Sequence, residues 1–220
     1  MKIKLLIIII VLTSLSRIEG SDKEKHLIRD KFAEINISLM KNEYPNQITL
    51  KEIRGLFENI KNIENPVKQN DEENREKETD KLAQAFKMFG KKYNSHYSID
   101  TLKQSISLIN NYFLANFGKY FLKQLNKANK KKIIIFCTSL SCECTLEMCN
   151  KQIVEIQEIY EKNKSVFEYA IVDCDKESEL QKKYKVGFLP TVILYDVKGK
   201  KTKRFVREVN LLTQLNKYLK

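Results

Sequence analysis

Hydrophobic positions change their period along this chain, and each change marks an element. Leu5–Leu12 is an unbroken apolar run. Leu27, Ile28, Phe32, Ile35, Leu39 and Met40 then recur at helical spacing, predicting a helix within 22–43. After Tyr44-Pro45-Asn46, Thr49 and Glu52 form a capping box for a second helix that buries Ile53, Leu56, Phe57 and Ile60. Residues 66–80 are acidic and polar with no apolar period, the pattern of a flexible linker. Leu82–Phe89 predicts a short helix stopped at Gly90. Asp100 caps another through Leu114, and a further one covers about Lys119–Lys127. The period then shifts from helix to strand. Ile133–Phe136 is a β-branched apolar run, as in a strand buried on both faces. A cysteine-dense turn follows, and then a helix with the stripe Leu146, Cys149, Ile153, Ile156 and Tyr160. Val186–Tyr195 reads VGFLPTVILY, in which Pro190-Thr191 opens a second buried strand. Proline is poorly tolerated inside a central strand, so Pro190 predicts a special turn, for which a cis bond is one solution.

The cysteines carry the candidate chemistry. None occurs before Cys137; Cys142, Cys144, Cys149 and Cys174 complete the set of five. Cys142 and Cys144 lie between a strand and a helix N-terminus, where free N–H groups and the helix dipole favour a thiolate. Two cysteines two residues apart can close only a small, strained ring, which is easily reduced. Glu143 between them should hold their pKa up and slow attack. Cys149, on the apolar stripe, reads as a buried core thiol. Cys137 ends the strand, either as packing or as a third thiol for the turn. Cys174 has no evident partner in the sequence. The array C-x4-C-x-C-x4-C does not suit zinc, which takes ligand pairs from two separated knuckles. His26 and His96 lie in the other half of the chain. No metal or cofactor is expected.

Lys131–Phe136, the thiol turn, Tyr169–Asp175, Leu189-Pro190-Thr191, the pair Val192–Tyr195 with Thr202–Val206, and Asn210–Leu219 together resemble the thioredoxin fold. They correspond to its central strand, active-site turn, third strand, cis-proline loop, closing hairpin and last helix. The resemblance covers about the last hundred residues of the chain. It implies thiol–disulfide exchange on protein substrates, with Leu189, Pro190 and Thr191 shaping a groove that pairs with an extended peptide. The family's Trp-Cys-x-x-Cys motif is altered. The chain has no tryptophan, the motif position reads Ser141-Cys142-Glu143-Cys144, and the family's buried acid falls on Ile135. Either the redox pair has moved to Cys142 and Cys144, or the site no longer exchanges disulfides and the fold serves as a binding scaffold.

Charge and composition refine the picture without redirecting it. The net charge is +12, spread over many helical faces. Neither a clustered basic patch with aromatics nor a nucleic-acid module is present, so nucleic acid is not an expected partner. Lys2 and Lys4, the apolar run and the polar stretch Ser16–Ser21 read as a secretory signal peptide over 1–20, cleaved near Gly20. That run is too short to span a bilayer of ~30 Å at ~1.5 Å per residue. The mature chain is expected in the ER lumen, a secretory organelle or outside the cell, with no membrane span. An odd number of cysteines there leaves at least one thiol unpaired or shared with a partner.

Residues Lys41–Glu52 and the segment Ala85–Leu102 resemble EF-hand loops. Calcium needs oxygen ligands at loop positions 1, 3, 5 and 12 and glycine at 6. The first loop offers Lys41, Glu43, Pro45 and Glu52 with Asn46 at the glycine position; the second offers Gly90, Lys92, Asn94 and Thr101 with Ser95 there. A degenerate EF-hand pair that binds no calcium and ordinary helical hairpins both fit. The expected class is α/β: an all-α module over 22–114 precedes a thioredoxin-like domain, a central mixed sheet flanked by helices, over 115–220.

Overall fold

The computed structural model describes residues 22–46, 48, 49, 52, 55 and 98–219. The leader expected over 1–20, the apolar positions expected in the second helix, the linker expected over 66–80, the helix expected at Leu82–Phe89, His96 and most of the second calcium-like loop lie outside the described residues. The chain divides into two units between Lys103 and Gln104.

In the first unit, α1 (residues 22–40) buries Ile28, Phe32, Ala33, Ile35 and Leu39, a stripe at helical spacing. Leu27 and Met40, counted with that stripe, are exposed instead. The helix ends with Asn42 in the left-handed region, φ 56°. The Glu43 N–H reaches back to the Ser38 carbonyl at 2.9 Å, the closure asparagine favours at a helix end. The next helical turn is capped by Asn46, whose Oδ1 accepts the Ile48 N–H at 2.8 Å. Thr49, expected to cap, is buried and donates its hydroxyl to Glu34 at 3.0 Å. Glu52 pairs with Lys31.

A single helix, α2 (Ile99–Lys127), replaces the two expected around Leu114 and Lys119. The second unit continues with β1 (Lys131–Cys137), α3 (Glu143–Lys162), β2 (Phe167–Asp173), α4 (Ser178–Lys183), β3 (Thr191–Tyr195), β4 (Lys201–Val206) and α5 (Leu211–Leu219). The sheet order is β2-β1-β3-β4, with β1 parallel to β2, antiparallel to β3, and β3 antiparallel to β4. The central place of β1 accounts for its apolar run, since Ile133 to Phe136 are all buried.

Helices cover both faces. Tyr160 of α3 packs edge-on against Phe167 and Tyr169 of β2, with centroids 5.7 and 4.9 Å apart. Phe205 of β4 meets Tyr218 of α5 at 5.9 Å. On the opposite face Phe136 packs against Tyr184, just past α4, at 5.1 Å. The strand expected at Tyr169–Asp175 begins two residues earlier, because Phe167 and Glu168 already pair with Lys131 and Lys132. Cys174 and Asp175 belong to the turn that follows.

Candidate functional site

Strand register decides which chemistry converges. Cys137 lies opposite Asp173 in the β1–β2 ladder, and Phe136 lies opposite Thr191 in the β1–β3 ladder. One end of the sheet therefore collects the thiol turn after β1, the Asp173–Asp175 turn after β2, and Leu189-Pro190 at the head of β3. The Leu189-Pro190 bond is cis.

At this end Cys142 is the N-cap of α3 and Cys144 lies in its first turn, both exposed. Their sulfurs are 2.9 Å apart, and both are free thiols. The Thr145 hydroxyl is 3.2 Å from Cys142 Sγ. Hydrogen bonding from the Cys144 thiol, and next from Thr145, brings the Cys142 thiol down to about 6. Glu143 was expected to hold this thiol up. The shift runs the other way, because nearby donors act directly on the sulfur while an exposed carboxylate is screened by water.

The turn that presents these thiols is held by a residue that sequence reasoning passed over. One oxygen of Asp175, Oδ2, accepts from the Thr138 hydroxyl at 2.5 Å and from the Ser139 and Leu140 N–H groups at 2.9 Å each. Burial would raise this carboxyl, but the hydrogen bonds outweigh it and leave the group below its ordinary range. Asp173, two residues back, is buried, and desolvation raises it. The signal for both was available: carboxylates closing an apolar strand must be satisfied locally or be perturbed.

The expected groove residues divide. Thr191 is buried, donating its hydroxyl to the Phe188 carbonyl at 2.7 Å. The Pro190 carbonyl accepts the Arg207 N–H at 2.9 Å. Among the described residues, no backbone hydrogen bond engages Leu189. Phe188, 67% exposed, and Leu140, 75% exposed, flank this end of the sheet. The other thiols are separate from the exposed pair. Cys137, Cys149 and Cys174 are buried.

Among the described residues, no helix is long and apolar enough to cross a membrane. No family model matches the chain, and no curated protein matches it. Solved structures similar to it include the germline-specific thioredoxin Deadhead of Drosophila melanogaster, at 20% identity and TM-score 0.39, covering 46% of this chain and 91% of that one. Fasciola hepatica thioredoxin is 25% identical, with TM-score 0.36 and coverage of 44% and 88%. Mitochondrial thioredoxin 3 of Saccharomyces cerevisiae is 18% identical, with TM-score 0.36 and coverage of 44% and 84%. The ground for the fold is the architecture itself: a mixed sheet with β1 at its centre, a thiol turn leading into α3, a proline opening β3, and helices on both faces. The C-terminal unit of this protein has the thioredoxin-like fold.

Proposed function

We propose that this is a thiol–disulfide oxidoreductase of the secretory pathway, acting on protein substrates through Cys142 and Cys144. The observation that carries the reading is the exposed pair itself, two sulfurs 2.9 Å apart at a helix N-terminus with one thiol brought down to about 6. Cys142 as thiolate attacks a substrate disulfide; a mixed disulfide forms and one substrate sulfur leaves as thiolate. Cys144 then attacks Cys142 Sγ, releasing the second substrate sulfur and closing the Cys142–Cys144 bond. Closure shortens the separation by about 0.9 Å, to the ~2.05 Å of a disulfide. The unengaged Leu189 backbone and exposed Phe188 and Leu140 support docking of an extended peptide beside the thiols. The leader over 1–20 supports a luminal or extracellular address.

The same apolar residues also support a second reading, a binding scaffold that does not use the thiols. A redox titration with mass mapping of alkylated cysteines separates the two. The oxidoreductase reading expects Cys142 and Cys144 to oxidise together reversibly near the luminal glutathione poise, roughly −180 to −210 mV, and Cys142→Ala to abolish exchange with the fold intact. If both remain thiols across that range, or bond in a form glutathione cannot reduce, exchange is excluded and the scaffold reading stands.

A further inference from the structure

Cys137, Cys149 and Asp173 are buried, chemically capable groups that the exchange reaction does not use. They converge from separate elements. Cys137 ends β1, Asp173 lies opposite it on β2, and Cys149 sits on the buried face of α3. All three line one cavity of about 10 Å³, together with Ser139 and Asn150. That is roughly the room of one water-sized molecule. Asn150 is exposed and Ser139 partly so, which puts the rim of the cavity at the surface.

We propose that Cys137 and Cys149 form a second dithiol centre, which a small peroxide oxidises to an intramolecular disulfide. Cys149 is the attacking thiol, because the hydrogen bond from Cys137 stabilises its thiolate, whereas burial pushes the Cys137 thiol well up and keeps it a donor. Cys149 sulfur attacks one peroxide oxygen. An S–O bond forms, the O–O bond breaks, and the departing hydroxide takes the Cys149 proton to leave as water. Cys137 sulfur then displaces the sulfenic oxygen, the S–S bond forms, and the Cys137 proton leaves with that oxygen as a second water. Two thiols are oxidised and one peroxide is reduced. The exposed pair is not placed to serve as direct oxidant, since Cys144 and Cys142 precede Cys149 by about 7.5 and about 10 Å along α3. The product ring encloses the whole turn that carries Cys142 and Cys144 and ties α3 to β1. Cys174 is left as the odd thiol, buried and pushed up to about 12 by its surroundings, burial foremost.

The test uses protein purified under reducing conditions and carrying Cys142→Ser and Cys144→Ser, exposed positions whose loss leaves the core intact. After hydrogen peroxide, free thiols are alkylated in denaturant, and the chain is cleaved after Glu143 and Glu147, which separates Cys137 from Cys149. The expected result is near-complete linkage of the two peptides with Cys174 still alkylated. Adding Cys137→Ala should leave Cys149 as a sulfenic acid trapped by dimedone, provided circular dichroism shows that variant folded; if it is unfolded, the linkage map decides alone. The proposal is overturned if both thiols remain alkylatable, if either links to Cys174, or if Cys149 passes to sulfinic acid with Cys137 free.

Discussion

Cys142 differs from an ordinary thiol through the donors around its sulfur. At pH 7 a thiol near 6 is ~90% thiolate, against ~3% for an unperturbed one near 8.5. Alkylation of Cys142 should therefore titrate with a midpoint near 6. Cys144→Ala and Thr145→Val should each move that midpoint upward, the first by more, and an unmoved midpoint would show that these donors do not act on the sulfur. Asp173 and Asp175 form a sharper contrast, because two carboxyls two residues apart are shifted in opposite directions. Asp175 is lowered, so the stability it supplies is present above the unfolded value of ~3.9 and is lost as pH falls through its folded value. Asp173 is raised, so its favourable contribution is present below ~3.9 and is lost as pH rises through its folded value. At pH 7, Asp175→Asn should accordingly lower the melting temperature and speed proteolysis of the Thr138–Leu140 turn. Asp173→Asn, which keeps an acceptor for the Asp175 N–H at 3.1 Å, should leave the melting temperature unchanged or raise it. Equal losses in both would contradict the assignment.

Elements here are shaped by what they press against. The hydrophobic pattern placed a break between Leu114 and Lys119, yet α2 runs through. Gly118 lies inside that span, and a Cβ there would sit 3.0 Å from the Ile171 carbonyl oxygen and 3.9 Å from the Val172 Cα. A residue poor in helix propensity is kept because its missing side chain lets α2 lie directly on the backbone of β2. Alanine would gain about 1 kcal/mol of helix propensity and meet an oxygen that cannot swing away. We expect Gly118→Ala to lower stability in urea by a net 1–2 kcal/mol, within the roughly 1–3 kcal/mol of overpacking, and Gly118→Val to lower it further. A stabilised alanine variant would show that the backbone yields. At the other edge of the sheet β4 exposes Lys201 and Lys203, charges that discourage pairing with another chain.

For the molecule as a whole, β2 lies at the edge of the sheet, pairs only with β1 among the described residues, and is nearly all buried. The C-terminal part of α2, with Phe117, Phe121, Leu122 and Leu125 buried, is needed to cover it. A chain shortened to 128–220 should lose its cooperative thermal transition and aggregate, whereas 104–220 should keep that transition; equal melting of the two would show the helix to be dispensable. Much of the unit was legible from local pattern. The run Ile133–Phe136, the stripe through Ile156 and Tyr160, and Leu189-Pro190-Thr191 before Val192 are short-range signals with a fixed period. They predicted β1, the thiol turn with its long helix, and β3, whereas the segments of β2 and β4 came from the family resemblance and α4 was not predicted. Neighbour-dependent features were not legible. The Thr49 cap was taken over by Asn46, Glu143 did not hold Cys142 up, and the Asp175 clamp was missed, because each depends on which donor comes within about 3 Å. By itself the sequence determined the strand–thiol turn–helix succession, the Cys142–Cys144 pair and the class of fold, since period and spacing are local properties of the chain. Only the tertiary structure decided that Cys137, Cys149 and Asp173 meet at one cavity and that Gly118 belongs inside a helix, because strand register and helix packing join residues that no local pattern connects.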